Sequence, residues 1–181
     1  MNESDRKKIE TLAQEHGAED CRWIPGDQVQ VRQWVRFKCM FGCDSYGRKG
    51  TCPPEVPSVA ECRSLFKEYD HILVMRLSAK LDAPEDRKEW SRKKNAKLLQ
   101  LEKMVFFDGY HKAFLLEMDE CRICKECSAS RVECEKPHLA RPSPESLGVD
   151  VFSTVRSLGF PIDVLSEYDQ TMNRYSFLLV A

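Results

Sequence analysis

The chain has 181 residues, enough for one ordinary domain with a core of its own. Its 28 basic and 29 acidic residues leave a net charge of −1, which excludes a sequence-independent nucleic-acid binder, because such proteins need a basic footprint. Apolar residues at 42% and charged residues at 31% describe a globular chain, with no run long and apolar enough for a signal core or a membrane span, so the expected location is the cytoplasm.

In chain order, residues 4–16 read as a helix with Ser4 as its N-cap and Gly17 as its stop. Two strands follow around a turn at Pro25-Gly26-Asp27. The second, Gln28 to Cys39, alternates: Val29, Val31, Val35, Phe37 and Cys39 on one face, Arg32, Arg36 and Lys38 on the other. Residues 40–57 are loop. Ser58 and Glu61 form a capping box for a helix with Val59, Cys62, Leu65, Phe66 and Tyr69 on its apolar stripe. His71 to Leu77 reads as a buried strand. Asp82, Pro84 and Glu85 open a long charged helix to about Asp108, closed by Gly109, and His111 to Glu117 is a further buried strand. That strand–helix–strand unit is right-handed if its strands are parallel neighbours. Ser143 and Pro144 start a helix through Leu158, and strands at 162–165 and 175–180 complete the chain. The expected architecture is a single α/β domain over 1–181, with α+β as the variant: a mixed sheet flanked by helices, carrying cysteine-rich loops at 39–57 and 119–142.

Nine cysteines are many for this length, and they cluster: four in 39–62, four in 121–134, with Cys21 apart. In a cytosolic chain such cysteines serve metal binding or redox chemistry rather than a disulfide framework. Cys121, Cys124 and Cys127 follow a C-x2-C-x2-C spacing, with Cys134 beyond them. Three thiolates three residues apart wrap a loop around a cube, so that each reaches a different iron, and a distant fourth completes a [4Fe–4S] cluster. Zinc also takes four thiolates, usually from two separated C-x2-C pairs; here the middle cysteine serves both pairs, which suits a cluster better. The six residues before Cys134 exceed the three common in ferredoxins, and in two-cluster ferredoxins the fourth cysteine serves the other cluster. Arg122, Lys125, Arg131 and Lys136 either offset the cluster charge and raise its potential or are solvated loop charges.

In the first loop Cys39, Cys43 and Cys52 can converge on a second centre, a cluster or zinc, or stand as thiols without metal, with Gly42, Gly47 and Gly50 permitting tight turns. The spacing is not the C-x3-C-x2-C of radical enzymes that use S-adenosylmethionine. Cys62 is a candidate fourth ligand, against its reading as a small core residue, and Cys21 is a weaker one. With neither, the site holds a cluster with one open iron.

Cys39, Cys43, Tyr46, Gly47 and Cys52-Pro53-Pro54 form one motif. Cys121, Cys124, Cys127, Cys134, Pro137, Ala140-Arg141-Pro142-Ser143, Glu145 and Gly148-Val149-Asp150 form another. On these residues, from about 30 to 160, the chain resembles the archaeal and bacterial family labelled "predicted metal-binding protein". The resemblance implies metal binding and names no reaction, substrate or partner.

The remaining candidates have plain alternatives. Arg141 can bind an anion at the following helix start or orient the loop, and Tyr46 can serve a substrate or packing. The lysine-rich helix, from Arg87 to Lys103, can dock an acidic redox partner or be a solvated face. The leading expectation is an iron–sulfur protein, with one or two [4Fe–4S] clusters, acting in electron transfer with a redox protein or as an auxiliary to a cofactor-dependent enzyme. The alternatives are a zinc-stabilised binding module without catalysis and a metal sensor or carrier.

Overall fold

The computed structural model describes residues 1–81, 83–167 and 170–181; Asp82, read above as a helix start, lies outside them. Helix α1 (Glu3–Glu15) is capped by Asn2, whose side chain accepts from the Asp5 amide at 2.9 Å, so the cap falls two residues before Ser4. Strand β1 (Asp20–Ile24) follows.

The strand expected over 28–39 is instead a 3-10 turn at Gly26–Gln28 and helix α2 (Gln33–Gly42). Only Val31 keeps a strand-like partner, bridging Val149. The alternation misleads because α2 is apolar on both sides. Val35 is buried and Cys39 half-buried, whereas Trp34, Phe37 and Phe41 face outward at 47%, 55% and 77% exposure. Pattern reading takes apolar positions to point inward, and on α2 Trp34, Phe37, Met40 and Phe41 do not.

Helix α3 (Val59–Phe66) has the expected capping box, Ser58 with Glu61. Strand β2 (Ile72–Ala79), helix α4 (Pro84–Phe107), strand β3 (Phe114–Leu116), helix α5 (Val151–Ser157) and strand β4 (Met172–Leu179) complete the regular elements. No strand forms at 162–165. The helix expected from Ser143 to Leu158 is broken into a 3-10 turn at Glu145–Leu147 and α5. Gly148 lies between them at φ 83°, beyond helical values, and Asp150 then caps α5 by accepting from the Ser153 amide at 3.0 Å.

The sheet order is β1-β2-β4-β3, and every hydrogen-bonded pair is antiparallel. The α/β class therefore takes its α+β form, and the mixed sheet becomes an antiparallel one. Strands β2 and β3 do run parallel, but β4 lies between them and pairs with both. Side chains of Ile72, Val74, Phe177 and Leu179 meet α3 and α5; Leu73, Met75, Leu77 and Leu178 meet α1 and α4. Helices cover both faces, so β2 opens on a continuous apolar run, Ile72 to Met75, and β4 closes on one, Phe177 to Leu179. From α4, Leu98, Leu101 and Val105 are fully buried, each worth about 1.5–3 kcal/mol. Among the described residues no helix is long and apolar enough to cross a membrane.

Candidate metal centre

Helix α4 sets the position of the second cysteine loop. Asn95 clamps Met118 from both sides, donating to its carbonyl at 2.8 Å and accepting from its amide at 3.2 Å. One turn earlier Ser91 donates to Asp119 at 2.6 Å, and one turn before that Arg87 pairs with the same carboxylate. Asp119 stands at φ 59°, a left-handed conformation that a non-glycine residue holds only when its surroundings fix it. Burial pushes its carboxyl up, but the Arg87 bonds and charge, with Ser91, outweigh that and hold it low. Further along the same helix stripe, Glu102 takes the Leu115 amide at 2.9 Å and both arms of Arg141 at 2.6 and 2.8 Å. Both flanks of the loop are thus tied to one helix. The sequence reading missed this stripe because charged residues on a lysine-rich helix look solvated; the i, i+4, i+8 spacing of Arg87, Ser91 and Asn95 was the available signal.

Between those ties, Cys121, Cys124, Cys127 and Cys134 line one small cavity. Its other wall comes from the first loop, through Gly50 and Thr51. The two loops are in close contact: the Arg131 amide donates to the Glu55 carboxylate at 2.6 Å, and Gly50 packs on the backbone of Ser130. Thr51 is 5% exposed, and its hydroxyl has no hydrogen-bond partner among the described residues.

In the first loop, Cys39 lies on the last turn of α2 and Cys43 caps that helix, one turn on. Arg36 fixes the helix by donating to the Pro57 and Ser146 carbonyls, each at 3.0 Å. Cys52 is buried. Burial pushes its thiol up to about 12, helped by Cys43, Glu120, Cys39 and Cys121. Cys39 and Cys43 of the same loop, and Cys121 of the other, are thus near enough to Cys52 for their charges to act on it. Burial also raises the Cys39 and Cys121 thiols.

The two remaining cysteines are elsewhere. Cys62 is 1% exposed in the α3/α5 core, its Sγ 3.6 Å from the Pro57 carbonyl. Cys21 faces the α1/α4 side of the sheet beside Trp23. Of the basic residues near the second loop, Arg122 pairs with Glu120, Arg131 donates to the Pro137 carbonyl at 3.0 Å, and Lys136 lines the cavity. Arg141 orients the loop through Glu102. All nine cysteines are unpaired.

The donor set fits a soft metal. Four thiols surround a cavity closed by a buried hydroxyl, and thiolates select zinc, copper(I) or iron–sulfur clusters over hard cations. Among the described residues no three His, Cys, Asp or Glu side chains meet at the spacing of one ion. A family model described as "Predicted metal-binding protein (DUF2284)" matches residues 22–180. No curated protein and no solved structure matches.

Proposed function

The chain belongs to the predicted metal-binding protein family, and from that premise we propose that it is an iron–sulfur protein that passes electrons to or from a partner. Cys121, Cys124, Cys127 and Cys134 hold a [4Fe–4S] cluster; Cys39, Cys43 and Cys52 hold a second centre with one ligand position open. The observation that carries this reading is the convergence of the four second-loop thiols on one cavity. Their spacing favours a cage over one zinc ion, since the middle cysteine of C-x2-C-x2-C belongs to both pairs. A cluster supplies one-electron transfer when bound. The protein's own part is to hold the thiols through α4, exclude water with Gly50 and Thr51, and keep the two centres adjacent through Cys52 and Cys121. A reducing compartment such as the cytoplasm suits nine unpaired thiols.

An acidic electron-transfer protein is the partner this surface suits. Trp34, Phe37 and Phe41 are exposed on the helix that carries Cys39. Five basic residues and one acidic residue lie between 32 and 49, and the Lys38 ammonium sits 5.3 Å from the Trp34 ring centre. On α4, by contrast, Arg87, Arg92 and Lys93 are already paired with carboxylates.

Purification under strict anoxia tests the reading. A brown protein with iron and acid-labile sulfide is expected. A colourless protein holding zinc overturns it in favour of a zinc-stabilised binding module. Metal removed by mild chelation with the fold intact points to a sensor or carrier, because structural sites resist removal or unfold when stripped.

A further inference from the structure

We propose that Thr51 of the first cysteine loop donates its hydroxyl proton to a sulfur of the cluster held by the second loop, and thereby raises that cluster's reduction potential. The inference rests on the iron–sulfur reading above. It begins from an orphan: the Thr51 hydroxyl is buried, and no group among the described residues accepts its proton. Buried hydroxyls are almost always paired, so one without a partner marks a site where something else supplies the acceptor. Thr51 lines the same cavity as Cys121, Cys124, Cys127 and Cys134. The other polar side chains on that wall are Lys49 and Lys136, and an ammonium donates without accepting. Thiolate and sulfide sulfurs are therefore the side-chain and cofactor acceptors within the cavity.

The backbone holds Thr51 in place. The Cys52 amide donates to the Lys49 carbonyl at 3.0 Å, closing a turn around Gly50 and Thr51, and Gly50 is pressed on Ser130 of the opposite loop. Threonine is also β-branched, so few χ1 rotamers are open to it once the backbone is set. A donor at a cluster sulfur withdraws electron density from the irons and favours the reduced state. Threonine here is a positioning residue rather than a ligand. It makes the potential of the second-loop cluster depend on the folding of the first loop.

The test compares wild type, Thr51→Val and Thr51→Ser, each purified without oxygen. Iron, sulfide and midpoint potentials are measured, together with the magnetic coupling of exchangeable protons to the reduced cluster before and after transfer to deuterium oxide. Valine keeps the shape and loses the donor; serine keeps the donor. The expected result is unchanged iron in both variants and a more negative potential for one cluster in Thr51→Val alone, with loss of one exchangeable-proton coupling. Iron lost from Thr51→Val but kept in Thr51→Ser also supports the bond, since only the hydroxyl distinguishes them. Equal potentials and couplings in wild type and Thr51→Val, or iron lost equally from both variants, overturn it. A wild-type protein without iron overturns the cluster reading itself.

Discussion

Gly50 lies so close to Ser130 that a Cβ at position 50 would stand 2.7 Å from the Ser130 carbonyl oxygen and 3.0 Å from its carbon. Both contacts are to backbone, which cannot swing aside as a flexible side chain can. This closeness joins the two cysteine loops and brings Thr51 to the cavity of the second. Gly50→Ala is expected to force the loops apart and cost about 1–3 kcal/mol of stability, the range for overpacking. Chemical denaturation and iron content of the anaerobic protein check it: both should fall, and an unchanged variant would show that the loops tolerate separation.

The cysteines divide by burial and by neighbours. Cys124→Ser is expected to remove the iron of one cluster and leave the rest, and Cys43→Ser to lower iron at the first centre. Cys62→Ser should leave iron in place while costing about 1–3 kcal/mol, the effect of placing a hydroxyl in an apolar core with at best one long contact to the Pro57 carbonyl. Iron counting beside a denaturation curve separates the two outcomes. Equal iron loss from Cys43→Ser and Cys62→Ser would make Cys62 a ligand.

Arg141 and Glu102 form a two-pronged pair whose side chains are 14% and 9% exposed. Taking away one member leaves the other charge buried, which costs about 3–5 kcal/mol. Arg141→Leu should therefore lower stability by that order and loosen the return of the second loop at Pro142. A double variant, Arg141→Leu with Glu102→Leu, is expected to recover part of the loss. Thermal unfolding of the single and double variants reads both effects; additive losses would show that the two residues act separately.

Glu117 gives the protein a stability that depends on pH. Its carboxyl is pushed up to about 8, by burial first and then by Glu102, with Arg141 opposing. The folded chain keeps a proton that the unfolded chain releases near 4.5. Where the folded state binds more protons, stability falls as pH rises, so the loss accumulates between those two values and reaches a few kcal/mol at most. Glu117→Gln removes that slope. Denaturation midpoints taken below and above neutrality should move in the variant's favour as pH rises; parallel pH profiles would show that Glu117 is already ionised in the folded state.

Membership of a metal-binding family was legible in the residues, and the geometry only in part. The capping box of α3, the buried runs of β2 and the long helix α4 follow from local rules, because caps and apolar runs act over a few residues. The C-x2-C-x2-C spacing likewise names soft thiolate chemistry without any fold. What the chain order could not show is which residues from distant segments share a wall. Helix α2 was hidden because Val35, Phe37 and Cys39 continue the alternation of Val29 and Val31, although Phe37 is exposed. The break at Gly148 follows from tertiary bonds, where Arg32 donates to the Gly148 carbonyl and Asp150 to the Gln30 carbonyl, each at 2.8 Å. The placement of Thr51 on the second loop's cavity depends on Gly50 meeting Ser130, 80 positions away. Thiol spacing is a property of one loop, set by covalent geometry. Closing that loop against another requires packing between segments that only the folded chain brings together, and α4, through Asn95, Ser91 and Glu102, decides where that happens.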